Sequence, residues 1–132
     1  MLVGVGVDIV HLPRIASLIA RRRNNCQLLC RRILSPTEQN EFQTRFVSQP
    51  APTDEVPNPD VVQFLASRWS IKEALYKAVY PEHKLTWKDV TIEREGGAKP
   101  KVVLAGQDLN MKAHISVSHD GEYAIAYAVV ER

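Results

Sequence analysis

Hydrophobic positions along this chain change period twice, and the changes mark its elements. Residues 2–10 (LVGVGVDIV) alternate, with Val3, Val5, Val7 and Ile9 on one face and Gly4, Gly6 and Asp8 on the other. This β-branched run predicts a buried strand, whose glycines admit close approach by another element. Helical spacing begins at Pro13, which suits a first turn, and Ile15, Leu18 and Ile19 form the stripe behind it. Asn24-Asn25 breaks or bends that helix, and the capping box Ser35-Pro36-Thr37-Glu38 opens another through about Phe46. Residues 64–80 form the strongest pattern. Phe64, Ser67, Ile71, Ala74, Leu75 and Ala78 make one stripe; Trp69, Glu73, Tyr76, Lys77 and Tyr80 make a second face. The helix ends at Tyr80-Pro81. Strand periodicity then returns at residues 89–93, 101–104, 114–118 and 122–130, with turns at Gly96-Gly97 and Asp120-Gly121.

A strand, then helices, then antiparallel strands make an α+β layout. The 132 residues, 45% of them hydrophobic, suffice for one domain with its own core over residues 1–132. Residues 48–60 hold four of the eight prolines and read as a loop within that domain, because the flanking pieces are too small to fold alone. The formal net charge of +2 argues against a general nucleic-acid binder, although Arg14, Arg21, Arg22, Arg23, Arg31 and Arg32 crowd the first quarter. Such a cluster is either a solvated helix face or a surface for an acidic partner. Cys26 and Cys30, four apart with no Cys or His cluster nearby, read as reduced structural thiols on one helix face. No apolar run has the length of a membrane span, and the chain opens directly on a strand, without a signal or transit peptide pattern.

The candidate chemistry lies on the first strand and the long helix. A carboxylate such as Asp8 on so apolar a strand needs a partner, unless it caps a turn at the strand's end. Glu73 and Lys77, one turn apart, are either a simple i,i+4 pair or a polar site lined by aromatics. Two carboxylates from different elements suit Mg²⁺, which takes oxygen ligands and leaves positions for waters and substrate phosphates. Lys77 is placed to neutralise a phosphate oxygen on the same ligand. Ser116-Val117-Ser118-His119 ends a strand and offers hydroxyls and an imidazole for further phosphate contacts. Asp8, Glu73 and Lys77 are therefore the candidate catalytic set, and Asp8 and Glu73 the candidate metal ligands.

Three stretches carry a resemblance, in the same order along nearly the whole chain. They are Gly6-Val7-Asp8, the run Arg68-Trp69-Ser70-Ile71-Lys72-Glu73-Ala74-Leu75-Tyr76-Lys77-Ala78, and Ser116-Val117-Ser118-His119. Together they resemble the signature of the 4′-phosphopantetheinyl transferases, and the short chain is similar to the holo-acyl-carrier-protein synthase branch. The resemblance implies transfer of the phosphopantetheine arm of coenzyme A to a serine of apo-acyl carrier protein, with adenosine 3′,5′-bisphosphate as the other product. It implies Mg²⁺ held by Asp8 and Glu73, and Lys77 on the phosphate under attack. It further implies Arg68, Lys99, Pro100, Ser118 and His119 around the coenzyme, and Arg14, with Arg21 and Arg22, at the carrier protein. A homotrimer with sites between subunits is implied as well. The base could be Asp8, Glu73 or a water held by the metal.

The sequence departs from the compact bacterial pattern in three places. Val79-Tyr80-Pro81-Glu82-His83 stands where a Gly-rich turn is usual, residues 48–60 are longer than needed, and Gly96-Gly97-Ala98-Lys99-Pro100 carries one extra residue. These departures favour a eukaryotic, organellar member and a mitochondrial matrix location, with the cytoplasm as the alternative. Two competing functions are a Mg²⁺-dependent nucleotide hydrolase, which lacks a P-loop, and a non-enzymatic binding module for an acidic protein. RNA binding is disfavoured because no aromatics interleave with the arginines.

Overall fold

The computed structural model describes residues 1–46, 57–94, 99–105 and 110–132. Strand β1 (Leu2–His11) leads into α1 (Leu12–Ala20), α2 (Asn25–Ile33), α3 (Pro36–Phe46) and the long α4 (Pro59–Val79). A 3₁₀ turn (Trp87–Asp89) precedes β2 (Val90–Glu93), and β3 (Lys101–Leu104), β4 (Lys112–Asp120) and β5 (Tyr123–Glu131) complete the chain. The α+β layout is as the periodicity predicts. Among the described residues the strands form two antiparallel sheets, β1-β5-β4 and β2-β3. The first strand pairs with the last, Gly6 opposite Ala128 and Asp8 opposite Ala126. Gly121, at φ 56°, turns β4 into β5, a backbone angle that glycine adopts without steric cost. The predicted Gly96-Gly97 turn, and residues 48–56 of the Pro-rich stretch, lie outside the described residues, while Pro59 and Asp60 of that stretch form the first turn of α4 and not a loop.

Helix α4 organises both halves of the core. Its first half, through Val61, Val62, Phe64, Leu65 and Ala66, packs with Ile15, Ile19, Cys30, Ile33 and Leu34 of the preceding helices. Its second half, through Ile71, Ala74, Leu75, Ala78 and Val79, packs on Val90, Ile92, Ile115 and the small β5 residues Ala126 and Ala128. The apolar stripe of Phe64, Ile71, Ala74, Leu75 and Ala78 is buried, whereas Trp69, Glu73 and Tyr76 are half-buried and Lys77 and Tyr80 exposed; Arg68, Ser70 and Lys72, outside both faces, are buried too. Asn58 caps its start by accepting the Asp60 N–H at 2.9 Å, and Tyr80 follows its last turn, as the proline predicts.

The glycines of β1 meet α4. A Cβ on Gly6 would stand 1.9 Å from the Ala74 carbonyl oxygen, and one on Gly4 would stand 2.0 Å from that of Ala78. The glycine face is therefore the buried face. The expectation of a strand buried by its valines is corrected: Val5, Val7 and Ile9 are exposed, beside the equally exposed Tyr123, Ile125 and Tyr127 of β5. The aromatic side of α4 is covered within the chain, Trp69 by Trp87 at 5.1 Å between ring centroids and Tyr76 by Tyr80 at 5.4 Å.

Candidate active site

Asp8 lies within β1, on the glycine side, so it does not cap a turn. Burial pushes its carboxyl above the usual aspartate range, opposed by Lys77 and, more weakly, by Arg14. Lys77 reaches across from α4, its Nζ donating to the Val7 carbonyl at 3.0 Å and to Asp8 Oδ1 at 3.4 Å. The close fit of α4 on Gly4 and Gly6 brings this lysine to the strand. A local Glu73–Lys77 pair is thereby excluded: Lys77 is engaged with β1, and no hydrogen bond or ion pair holds Glu73 among the described residues. Glu73 instead lines a groove with Lys72, Tyr76, Leu85, Thr86 and Trp87.

A second concavity opens on the other side of α4. Arg68, Pro100 and His119, far apart in sequence, line it together, with Arg45 and Arg94 adding two more guanidinium groups. The Arg68 guanidinium stacks 3.7 Å from the centroid of the Phe64 ring and donates to Ser67 Oγ at 3.3 Å and Glu41 Oε1 at 3.4 Å. Burial lowers its proton affinity, while Glu41 and Glu38 raise it. A cavity with several cations and an apolar wall suits an anionic, partly aromatic ligand. His119 projects into it from β4 on the same face as Val117; strand alternation turns Ser116 and Ser118 to the opposite face. Lys99 is exposed beside Pro100. Arg14 on α1 is exposed yet close enough to Asp8 for its charge to act there, and Arg21 and Arg22 are exposed just beyond that helix.

Among the described residues no group of three or more His, Cys, Asp or Glu side chains could enclose a metal ion. Mg²⁺ is usually held by one or two carboxylates, with waters and substrate phosphates completing its shell, so two carboxylates without such a cluster are compatible with it. Asp8, whose burial calls for a cation, and the unpaired Glu73 are the residues that would hold it.

The sequence reading missed the buried cluster behind the site. Lys72 Nζ donates to Glu38 Oε1 at 2.5 Å, to the Ile33 carbonyl at 2.7 Å and to the Trp87 carbonyl at 3.0 Å. Burial depresses the Lys72 ammonium's proton affinity, and Glu38 opposes that. Glu38 also closes the predicted capping box, accepting Ser35 N–H at 2.9 Å while its own N–H reaches Ser35 Oγ at 3.4 Å. The one sequence signal was that box; nothing marked its acid as buried.

A 4′-phosphopantetheinyl transferase superfamily model matches residues 4–128. A holo-[acyl-carrier-protein] synthase of Geobacillus kaustophilus is 35% identical, over 100% of this chain and 91% of its own length. The mitochondrial 4′-phosphopantetheinyl transferase B of Aspergillus fumigatus is 37% identical, over 92% and 89%. Among solved structures, the holo-[acyl-carrier-protein] synthase of Neisseria meningitidis superposes with a TM-score of 0.73 at 27% identity, covering 100% of both chains. That of Bacillus anthracis, in complex with CoA (3′,5′-ADP), gives 0.71 at 26% identity, covering 98% of this chain and 96% of the other. With its motifs in place on this fold, the chain belongs to the 4′-phosphopantetheinyl transferase superfamily.

Proposed function

We infer that this protein transfers the 4′-phosphopantetheine moiety of coenzyme A to a serine of apo-acyl carrier protein. The observation that carries this is the pair of features that α4 presents: Lys77 anchored to Asp8 beside an unpaired Glu73 and, on the helix's other side, an arginine-lined cavity with Arg68, Pro100 and His119 in its wall. The serine oxygen attacks the phosphorus that bears the pantetheine arm, and the P–O bond to the nucleotide's phosphate breaks. Adenosine 3′,5′-bisphosphate leaves. Bound Mg²⁺, held by Asp8 and Glu73, would neutralise pyrophosphate charge.

Lys77 supplies a cation fixed by β1, so charge gained by the phosphate in the transition state meets a donor already oriented. Arg68, His119 and Pro100 hold the nucleotide end, with Lys99 beside Pro100, whereas Ser118, on the opposite face of β4, is not among the cavity's lining. The serine's proton goes to Asp8, Glu73 or solvent. The nucleophile belongs to the carrier protein, in keeping with a site built of acids and bases around phosphates. Arg14, Arg21 and Arg22 provide the docking face for an acidic carrier, and the nearness of Arg14 to Asp8 sets that face beside the site.

A homotrimer is supported by the exposed apolar face of β1 and β5, Val5, Val7, Ile9, Tyr123, Ile125 and Tyr127. No helix among the described residues is long and apolar enough to cross a membrane. The mitochondrial matrix is the location favoured by the sequence departures and by likeness to the Aspergillus protein.

Calorimetric titration with coenzyme A tests the reading. Binding should require Mg²⁺ and be lost in Glu73→Ala; affinity indifferent to both chelator and that substitution would overturn it.

A further inference from the structure

Glu38 takes no part in the chemistry above, yet it is fully buried behind the site. A capping acid alone gains nothing from such burial, since removing a carboxylate from water costs several kcal/mol. Its Oε1 is occupied by Lys72 at 2.5 Å and Ser35 N–H at 2.9 Å. Its Oε2 accepts Ile92 N–H at 3.3 Å and lies 4.0 Å from Arg68 Nε. With Glu38, Ile33 and Trp87 as acceptors, the three protons of the Lys72 ammonium are all used. The Lys72 ammonium is thus held in the interior, while Lys72 and the next residue, Glu73, both border one groove.

We propose that Glu38 is a positioning residue for coenzyme binding, acting by holding the Lys72 ammonium so that the Glu73 carboxylate stays unpaired. This rests on the functional reading above, in which Glu73 takes the cation that bridges to coenzyme A. Without a charge at position 38, the buried ammonium loses its carboxylate, and the carboxylate remaining in its groove is Glu73. Pairing there would remove the anion that binding requires. Arg68 keeps Glu41 as a second carboxylate at 3.4 Å, so the effect runs through Lys72.

Glu38→Gln removes the charge and keeps one oxygen for Ser35 N–H and Lys72, while its amide nitrogen, a donor, takes the place of the oxygen that accepts Ile92 N–H. Titration of the full-length variant with coenzyme A in Mg²⁺ should show Kd raised about tenfold, the scale of one lost charge-assisted contact. The KM for coenzyme A should rise with it, while the KM for carrier protein stays within about twofold. Glu38→Gln/Lys72→Met removes the buried pair whole, an exchange that is often tolerated. It should restore Kd to within about threefold of wild type, because no ammonium remains to take Glu73. A folded single variant with wild-type Kd, or a folded double variant still tenfold weaker, would overturn the inference. If Glu38→Gln does not fold, the double variant decides alone. Wild-type protein that binds no coenzyme A would instead overturn the functional reading, and this inference with it.

Discussion

Replacing Gly6 by alanine tests the link between packing and chemistry. The new methyl carbon would lie 1.9 Å from the Ala74 carbonyl oxygen, 2.9 Å from its carbon and 3.0 Å from the Ala78 nitrogen. These are backbone atoms of the helix, so no side chain can swing aside. A tolerable carbon–oxygen contact is about 3.3 Å, which requires α4 and β1 to separate by roughly 1.4 Å. Overpacking of this kind costs about 1–3 kcal/mol. For a domain of this size each kcal/mol lowers Tm by roughly 3–6 °C, so a fall of about 3–18 °C is expected. Activity should suffer beyond stability, because Lys77 and Glu73 ride on α4 while Asp8 rides on β1. A 1 Å misplacement can cost about 10²-fold in rate. Melting by circular dichroism and kcat/KM, measured well below the variant's Tm, separate the two effects. Wild-type Tm and rate together would refute the claim that Gly6 sets the helix–strand distance.

Three further outcomes follow from the site. Lys77→Ala should lower kcat about 10²–10³-fold, with little change in Tm because the side chain is 51% exposed; equal losses in both would reassign it to stability. Arg14→Glu should raise KM for carrier protein several-fold and leave coenzyme A affinity intact, an effect that weakens as salt is raised because exposed charges are screened within about 8 Å at physiological ionic strength. Asp8→Asn should abolish transfer yet raise the Tm of the metal-free protein at neutral pH. The Asp8 carboxyl is shifted upward, so the folded state holds its proton to higher pH than the unfolded chain, and stability falls as pH rises through that interval. The gain should therefore vanish at acid pH; a lower Tm for Asp8→Asn at neutral pH would show that the Lys77 contact outweighs burial.

Local periodicity made much of the fold legible. The helix start at Ser35, the helix end at Tyr80 and the glycine face of β1 follow from the sequence because each depends on near neighbours. What periodicity cannot carry is the identity of the covering element. Alternation separated Val5, Val7 and Ile9 from Gly4, Gly6 and Asp8 correctly, but their apolarity suggested burial, whereas α4 packs on the glycines. The spacing of Glu73 and Lys77 suited a local pair, yet a carbonyl and a carboxylate from seventy residues upstream captured the lysine. Lys72 and Arg68 sit where solvated charges are usual, and a buried acid on another helix makes their burial tolerable. The gathering of Arg68, Pro100 and His119 in one cavity is a tertiary event that only the resemblance anticipated.

Intact-mass spectrometry of a purified apo-acyl carrier protein, incubated with this protein, coenzyme A and Mg²⁺, tests the central claim most directly. A mass gain of one phosphopantetheine group on the carrier's serine is expected, prevented by EDTA and sharply slowed by Lys77→Ala. No gain on any of several carrier proteins, from a folded protein that still binds coenzyme A, would contradict it.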